Sequence, residues 1–394
     1  MSNYFNILLT GGRAPATLHL ARLLNKAGCK IFVADTFLQH AAGHSNVVVK
    51  NLIFPSPTHN FAAFRTKIIS IIIGHQIDLI IPTCEEVYYF AMLKEELQQH
   101  TTVFTSSIQT LKLLHSKYHF IELLKKWQLP FPQTFLAANK DTLEQHRQHL
   151  KQYVLKPEYS RFADQVIIDS KGDLLKQEIN IEVNVAKKWV VQSYIEGNHF
   201  CSYSMVKEGK LLAHTVYPVS YRVKQGAALY FRHVDIPTIE ATVSRISKEL
   251  NYTGHLAFDF IQSEADGLYY PIECNPRLIS GIHLFENIDK LKNVFPSQNK
   301  AEFHKTLYGN PNNNWMIFFG LLLYAAPNVK SIKEIKNLFL DIKTAKDVVF
   351  SWADLKPFTK QFSALYYFYH LSKQQNISIL EASTYDIEWN GINI

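Results

Sequence analysis

The sequence predicts a mixed α/β and α+β protein in three successive folded units with a helical extension. Three observations predict it. Strand–helix–strand units repeat along the first part, short strands surround one polar helix in the middle, and long alternating strands follow. The expected divisions are residues 1–110, 111–195, 196–310 and 311–394.

In the first unit, "NILLTGG" is an apolar strand ending in a glycine turn, "ATLHLARLLNKAG" has helical periodicity, and "CKIFVADT" is a second strand ending at Asp35. The pattern continues through "FAAFRTKIISIIIGHQ", "IDLIIPT", "EEVYYFAMLKEELQQH" and "TVFTS". Such alternation implies an open parallel sheet with its active groups at the carboxyl ends of the strands. The opening turn holds only Gly11 and Gly12 and lacks the third glycine of a dinucleotide fingerprint, so plain strand–helix packing is the preferred reading there.

The middle unit carries the strands "PQTFLA", "YVLKP", "QVIID" and "KWVVQSYI" around the polar helix "KDTLEQHRQHLKQ". Beyond it, "VKEGKLLA" reads as a hairpin turning at Glu208-Gly209, and "GHLAFDFIQ" and "LYYPIECN" read as long strands. The most apolar run, "WMIFFGLLLYAA", falls short of the ~20 residues of a membrane helix and reads as a buried helix.

Composition narrows the function. Hydrophobic residues make up 47% and charged residues 19%, as in globular proteins, and the net charge of +7 is modest. No Lys/Arg-rich block marks a nucleic-acid groove, so an anionic small molecule suits the charge better. Cys29, Cys84, Cys201 and Cys274 form no Cys-x-x-Cys pair, which disfavours zinc or a disulfide framework. The expected location is the cytoplasm, with no membrane partner.

Chemistry concentrates in residues 111–283. Lys117 opens a helix in "HSKYHF", Lys156 ends a strand in "YVLKP", and "VQSYIEG" is a strand entering a glycine turn. In "LAFDF", Phe258 and Phe260 face the core, so Asp259 points the other way. A covered carboxylate needs a partner. The next strand, "YYPIECNPR", places Glu273 and Asn275 on one face with Arg277 beyond them. Oxygen donors beside a guanidinium suit Mg²⁺ and phosphate.

This order resembles the ATP-grasp superfamily of carboxylate–amine ligases and biotin-dependent carboxylases. "FDF…PIECNPR" looks like its metal-and-phosphate signature, with both lysines and the hinge strand upstream. The resemblance implies ATP with Mg²⁺, or Mn²⁺ in its place, held by Asp259, Glu273 and Asn275. It implies that Lys117 and Lys156 meet ATP phosphates, that Gln192, Ser193, Tyr194 and Ile195 meet the adenine edge, and that His199 lies near the ribose. Arg277 would stabilise the transferring phosphoryl group, with Lys156 as its catalytic companion. Where the family commonly has a glycine-rich turn, "KPEYSRFADQV" has no glycine, leaving the Ser160 hydroxyl and the Arg161 charge as stand-ins.

Further candidates are Glu85 and Glu86, which could engage an amine at a strand end, and Arg222 and Lys224, which could meet phosphate or an anionic substrate from a mobile loop at residues 221–233. The implied activity is an ATP-dependent carboxylate–amine or carboxylate–thiol ligase acting through an acyl phosphate on small-molecule substrates. The alternatives are an inactive nucleotide-binding module, a biotin-carboxylase-like enzyme and a nicotinamide oxidoreductase. Oligomeric state is open, a homodimer included.

Overall fold

The apolar opening strand becomes the buried middle of a parallel sheet: Ile7, Leu8 and Leu9 are fully buried. In the computed structural model, which describes residues 5–161, 165–223, 226–286, 305–329 and 331–391, this sheet holds β1 (Asn6–Thr10), β2 (Lys30–Asp35), β3 (Val48–Ile53), β4 (Leu79–Ile81) and β5 (Thr102–Val103). Their order is β3-β2-β1-β4-β5, all parallel. Helices α1 (Pro15–Lys26), α2 (Phe61–His75), α3 (Val87–Met92) and α4 (Lys94–Leu97) connect them.

The glycine turn after β1 serves close packing. A Cβ on Gly12 would lie 2.3 Å from the His40 ring. Asp35, at the end of β2, is fully buried and held by Arg13, so it offers no carboxylate to a ribose.

Helices α5 (Ile108–His115) and α6 (Lys117–Lys126) begin at Ser107 and Ser116, whose hydroxyls accept from the backbone N–H of Thr110 and His119. The central sheet follows, with β6 (Thr134–Ala137), β7 (Tyr153–Pro157), β8 (Ile167–Asp169) and β9 (Trp189–Ser193) in the order β6-β9-β7-β8. Helix α7 (Lys140–Leu150) packs on it around a small core of Ala137, Leu143, Tyr153, Leu155, Trp189 and Val191.

Next come β10 (Gly197–Lys207), β11 (Lys210–Pro218), β12 (Tyr230–Arg232), α8 (Pro237–Glu249), β13 (Gly254–Ser263), β14 (Tyr269–Asn275) and β15 (Leu307–Tyr308). The main sheet runs β14-β13-β10-β11-β15, antiparallel except for β15. Its β10–β11 hairpin turns at Glu208 and Gly209, both with positive φ (49° and 75°), as a two-residue hairpin requires.

The extension is less helical than expected. β16 (Asn314–Met316) and β17 (Ala345–Asp347) form a sheet with β12, so the 221–233 segment is partly strand, and Arg222 bridges to Ala228. The apolar run is not one buried helix. Trp315 and Met316 lie in β16, and a short helical stretch starting at α9 (Phe318–Gly320) leaves Leu322, Leu323 and Tyr324 exposed. Strand pairing on both sides of β16 and one-sided packing of the helical stretch override the run's uniform hydrophobicity. Helices α10 (Ile332–Thr344), α11 (Lys356–Gln375) and α12 (Ile379–Ala382) precede a C-terminal tail that returns to the first sheet. Among the described residues no helix is long and apolar enough to cross a membrane.

Candidate functional site

Alternation along β13 buries Phe258 and Phe260 completely and turns Asp259 to the opposite face. Its register partner on β14 is Glu273. Asp259 Oδ1 accepts from the Cys201 thiol at 2.9 Å, and Oδ2 accepts from Asn275 Nδ2 at 3.2 Å. Burial, and then the nearby Glu273 charge, push the Asp259 carboxyl upward. Two carboxylates packed this way call for a cation. Among the described residues no three His, Cys, Asp or Glu side chains gather as a metal cluster. A cation on Asp259 and Glu273 would take the Asn275 amide oxygen only if that amide, whose nitrogen now faces Asp259 and whose oxygen accepts from Arg277, turned over, with ligand oxygens completing the shell.

Both lysines lean over this pair. Lys117, the first residue of α6, is 3% exposed; its ammonium donates to the Ser160 carbonyl at 2.9 Å and lies 3.5 Å from Glu273 Oε1. Lys156, in β7, donates to Gln192 Oε1 at 3.0 Å and to the Ile272 carbonyl at 3.2 Å. Burial lowers its pKa to about 8, against the opposing pull of Glu273. Lys117 and Lys156 therefore reach β14 from α6 and from the central sheet.

The hinge is partly committed elsewhere. Gln192 accepts from Lys156 at its amide oxygen and donates from Nε2 to Thr134 Oγ1 at 3.0 Å, so both ends of its side chain are engaged within the protein. The Ser193 and Tyr194 N–H groups donate to the carbonyls of Gln133 and Gln152, while Ile195 lies half-buried in the link to β10. His199 is half-buried on β10, and burial, then the Arg222 charge, lower its pKa. Lys224 lies outside the described residues.

The arginines are tied to one carboxylate. Arg277 Nε donates to Glu85 Oε1 at 2.6 Å, and its Nη2 donates to Asn275 Oδ1 at 3.3 Å. Arg161 Nε pairs with Glu85 Oε2 at 2.6 Å, its Nη1 donates to Glu388, and its Nη2 donates to the Trp389 carbonyl at 2.9 Å. Burial alone would raise the Glu85 carboxyl, but Arg161 and Arg277 outweigh it and hold it at about 2.

These contacts correct three expectations. Glu85 faces two guanidinium groups and is not open to an amine. Glu86 is fully buried and accepts from Thr10 Oγ1 at 2.6 Å and from the N–H groups of Thr83 and Cys84, which makes it a cap on the strand ends. Ser160 presents its carbonyl to Lys117, while its hydroxyl makes only a 3.5 Å contact with the Pro157 carbonyl. Cys84 donates to the Gly11 carbonyl and burial pushes its thiol far up, so packing is its role.

Three participants carried no sequence signal: Cys201 on β10, and Glu388 and Trp389 of the tail. Trp389 is 2% exposed and stacks on Tyr88 with ring centroids 5.1 Å apart. The aromatic tail "YDIEWNG" announced order but not a destination.

A carboxylate pair beside an amide, two buried lysines and a paired arginine gather where two sheets meet, an arrangement whose charges suit a polyanion together with a cation. Residues 114–281 match the family model of the ATP-grasp domain. Solved structures of that fold are similar. They include the biotin carboxylase domain of Hydrogenobacter thermophilus 2-oxoglutarate carboxylase, solved as a dimer with MgADP, ADP and bicarbonate (14% identity, 79% of this chain and 74% of that one, TM-score 0.60). Others are an L-amino acid ligase from Bacillus licheniformis (14%, 80% and 80%, 0.57) and N5-carboxyaminoimidazole synthetase from Staphylococcus aureus (13%, 70% and 72%, 0.55). A search of curated proteins finds no match.

Proposed function

We propose that the protein is an ATP- and Mg²⁺-dependent ligase joining a small-molecule carboxylate to an amine or thiol. The observation that carries this reading is the direct pairing of Asp259 with Glu273 across β13 and β14, with Asn275, Lys117, Lys156 and Arg277 around it. Asp259, Glu273 and Asn275 would hold Mg²⁺, which when bound neutralises phosphate charge. Lys117 and Lys156 would exchange carbonyl and amide partners for phosphate oxygens.

The chemistry needs no side-chain nucleophile. A substrate carboxylate oxygen attacks the γ-phosphorus and ADP leaves with the bond pair; the incoming nitrogen or sulfur then attacks the acyl carbon, and phosphate leaves with the bond pair and takes up the proton that the nucleophile loses. Arg277 orients the carboxylate and bears the charge developing on the transferring group, and the lysines hold the leaving ADP. A second reading is nucleotide binding without turnover, favoured by the absence of glycine between Lys156 and Gly172.

ADP release from Mg²⁺-ATP, measured against pools of amino acids and other carboxylates, tests both readings. Substrate-stimulated release should fall on the order of 100-fold or more in Glu273→Gln. Binding of ATP with no release under any pool would favour the second reading, and release unaffected by Glu273→Gln would refute the first.

A further inference from the structure

We propose that the C-terminal tail is a working part of the phosphate site, with Glu388 a positioning residue that holds Arg161 toward the terminal phosphate. The inference rests on the nucleotide reading above.

Arg161 and Arg277 share Glu85, whose buried carboxylate carries one negative charge against two positive ones. Two guanidinium groups on one carboxylate repel each other in a site that burial makes weakly screening. Glu388 supplies the second negative charge, on the far side of Arg161. The tail cannot easily withdraw it. Trp389 is wedged between Tyr88 and Tyr159, with ring centroids at 5.1 and 5.5 Å, and Tyr89 donates to the Glu388 carbonyl at 2.6 Å.

Of the five N–H donors of Arg161, hydrogen bonds take one on each terminal nitrogen, leaving one on each for a ligand, while Nε is ion-paired with Glu85 without hydrogen-bond geometry. Its neighbour Ser160 receives Lys117, and the other guanidinium on Glu85 reaches Asn275. Arg161 is therefore fixed beside Arg277 through their shared Glu85, in the segment that has no glycine-rich turn. Its ligand there is the outermost phosphate of a nucleoside triphosphate.

Titration calorimetry with MgADP and with the magnesium complex of AMP-PNP, a non-hydrolysable ATP analogue, reads this out. In Glu388→Gln the AMP-PNP complex should bind about ten-fold more weakly, MgADP should change much less, and Glu388→Asp should recover most of the loss. Equal weakening of both ligands would mean that the tail only supports the fold, and unchanged binding of both would mean that Glu388 is idle; either overturns the proposal. Arg161→Lys, which keeps the charge but not the fork, should reproduce the AMP-PNP-selective loss. If the wild-type protein binds neither ligand, the nucleotide reading itself fails.

Discussion

Lys156 is the residue whose protonation matters most, because its ammonium is buried and shares its surroundings with Glu273. Its pKa is lowered from 10.5 to about 8 in the folded protein. Between those values the unfolded chain holds the proton more tightly, so in the absence of ligand this group makes folding more favourable as pH rises through the window. Phosphate oxygens favour the charged form, so nucleotide affinity should move the opposite way. Affinity for MgADP should fall as pH rises above 8, and binding in that range should take up a proton. Calorimetry from pH 7 to 9.5 in two buffers of different ionisation heat would show both effects, and Lys156→Met should flatten the profile. A wild-type profile with neither trend would remove Lys156 from the phosphate site. At this scale the sequence was most informative where partners lie close along it: Asp259 and Glu273 sit on consecutive strands joined by a short turn, so alternation alone brings them together. Arg161 and Glu388 are 227 positions apart, and no local pattern encodes their meeting. Glu85 stood out as a strand-end acid, but its arginine partners depend on how separate units dock.

Elements were legible where one period governs them. The first strands and helices alternate as the sequence implies, and the hairpin at Glu208-Gly209 turns where its residues allow positive φ. The apolar run from Trp315 misled because hydrophobicity without a period cannot separate a strand from a helix. Glycine offers a sharper test of element packing. A Cβ on Gly197 would sit 1.9 Å from the Gln262 carbonyl oxygen, where β10 pairs with β13 beside the hinge. Gly74, in α2, has nothing within 4 Å of its missing Cβ. Gly197→Ala should therefore cost roughly 1–3 kcal/mol or more, whereas Gly74→Ala should add about 0.5–1 kcal/mol. Urea unfolding of the two variants compares them directly; a neutral Gly197→Ala would mean that β10 and β13 can separate at that end without loss.

Across the whole molecule the hydrophobic interior is unevenly shared. One large cluster joins Ile7 and Leu9 of the first sheet to Tyr203 and Met205 of β10, and another joins Leu8 and Ile80 to Phe258 and Phe260 of β13. The first and third sheets are thus stitched by apolar contact and should open together. The central sheet rests on its own small core, and polar contacts such as Lys117 with the Ser160 carbonyl and Lys156 with the Ile272 carbonyl tie it to its neighbours. Little buried apolar area means a low free energy of local opening. Native-state hydrogen exchange should show β7 and β9 exchanging well before β1 and β13. Ligand linkage then fixes what a nucleotide must do. A ligand at about 100 times its Kd stabilises the bound form by about 2.7 kcal/mol, and the phosphate contacts proposed above include Lys156 on β7. MgADP should slow exchange in β7 and β9 by up to about 100-fold while leaving β1, whose opening requires the shared cores to break, nearly unchanged until global unfolding sets the rate. Equal protection of all the sheets before ligand is added would mean that the central unit is as firmly built in as the others, and that a nucleotide meets a site already closed.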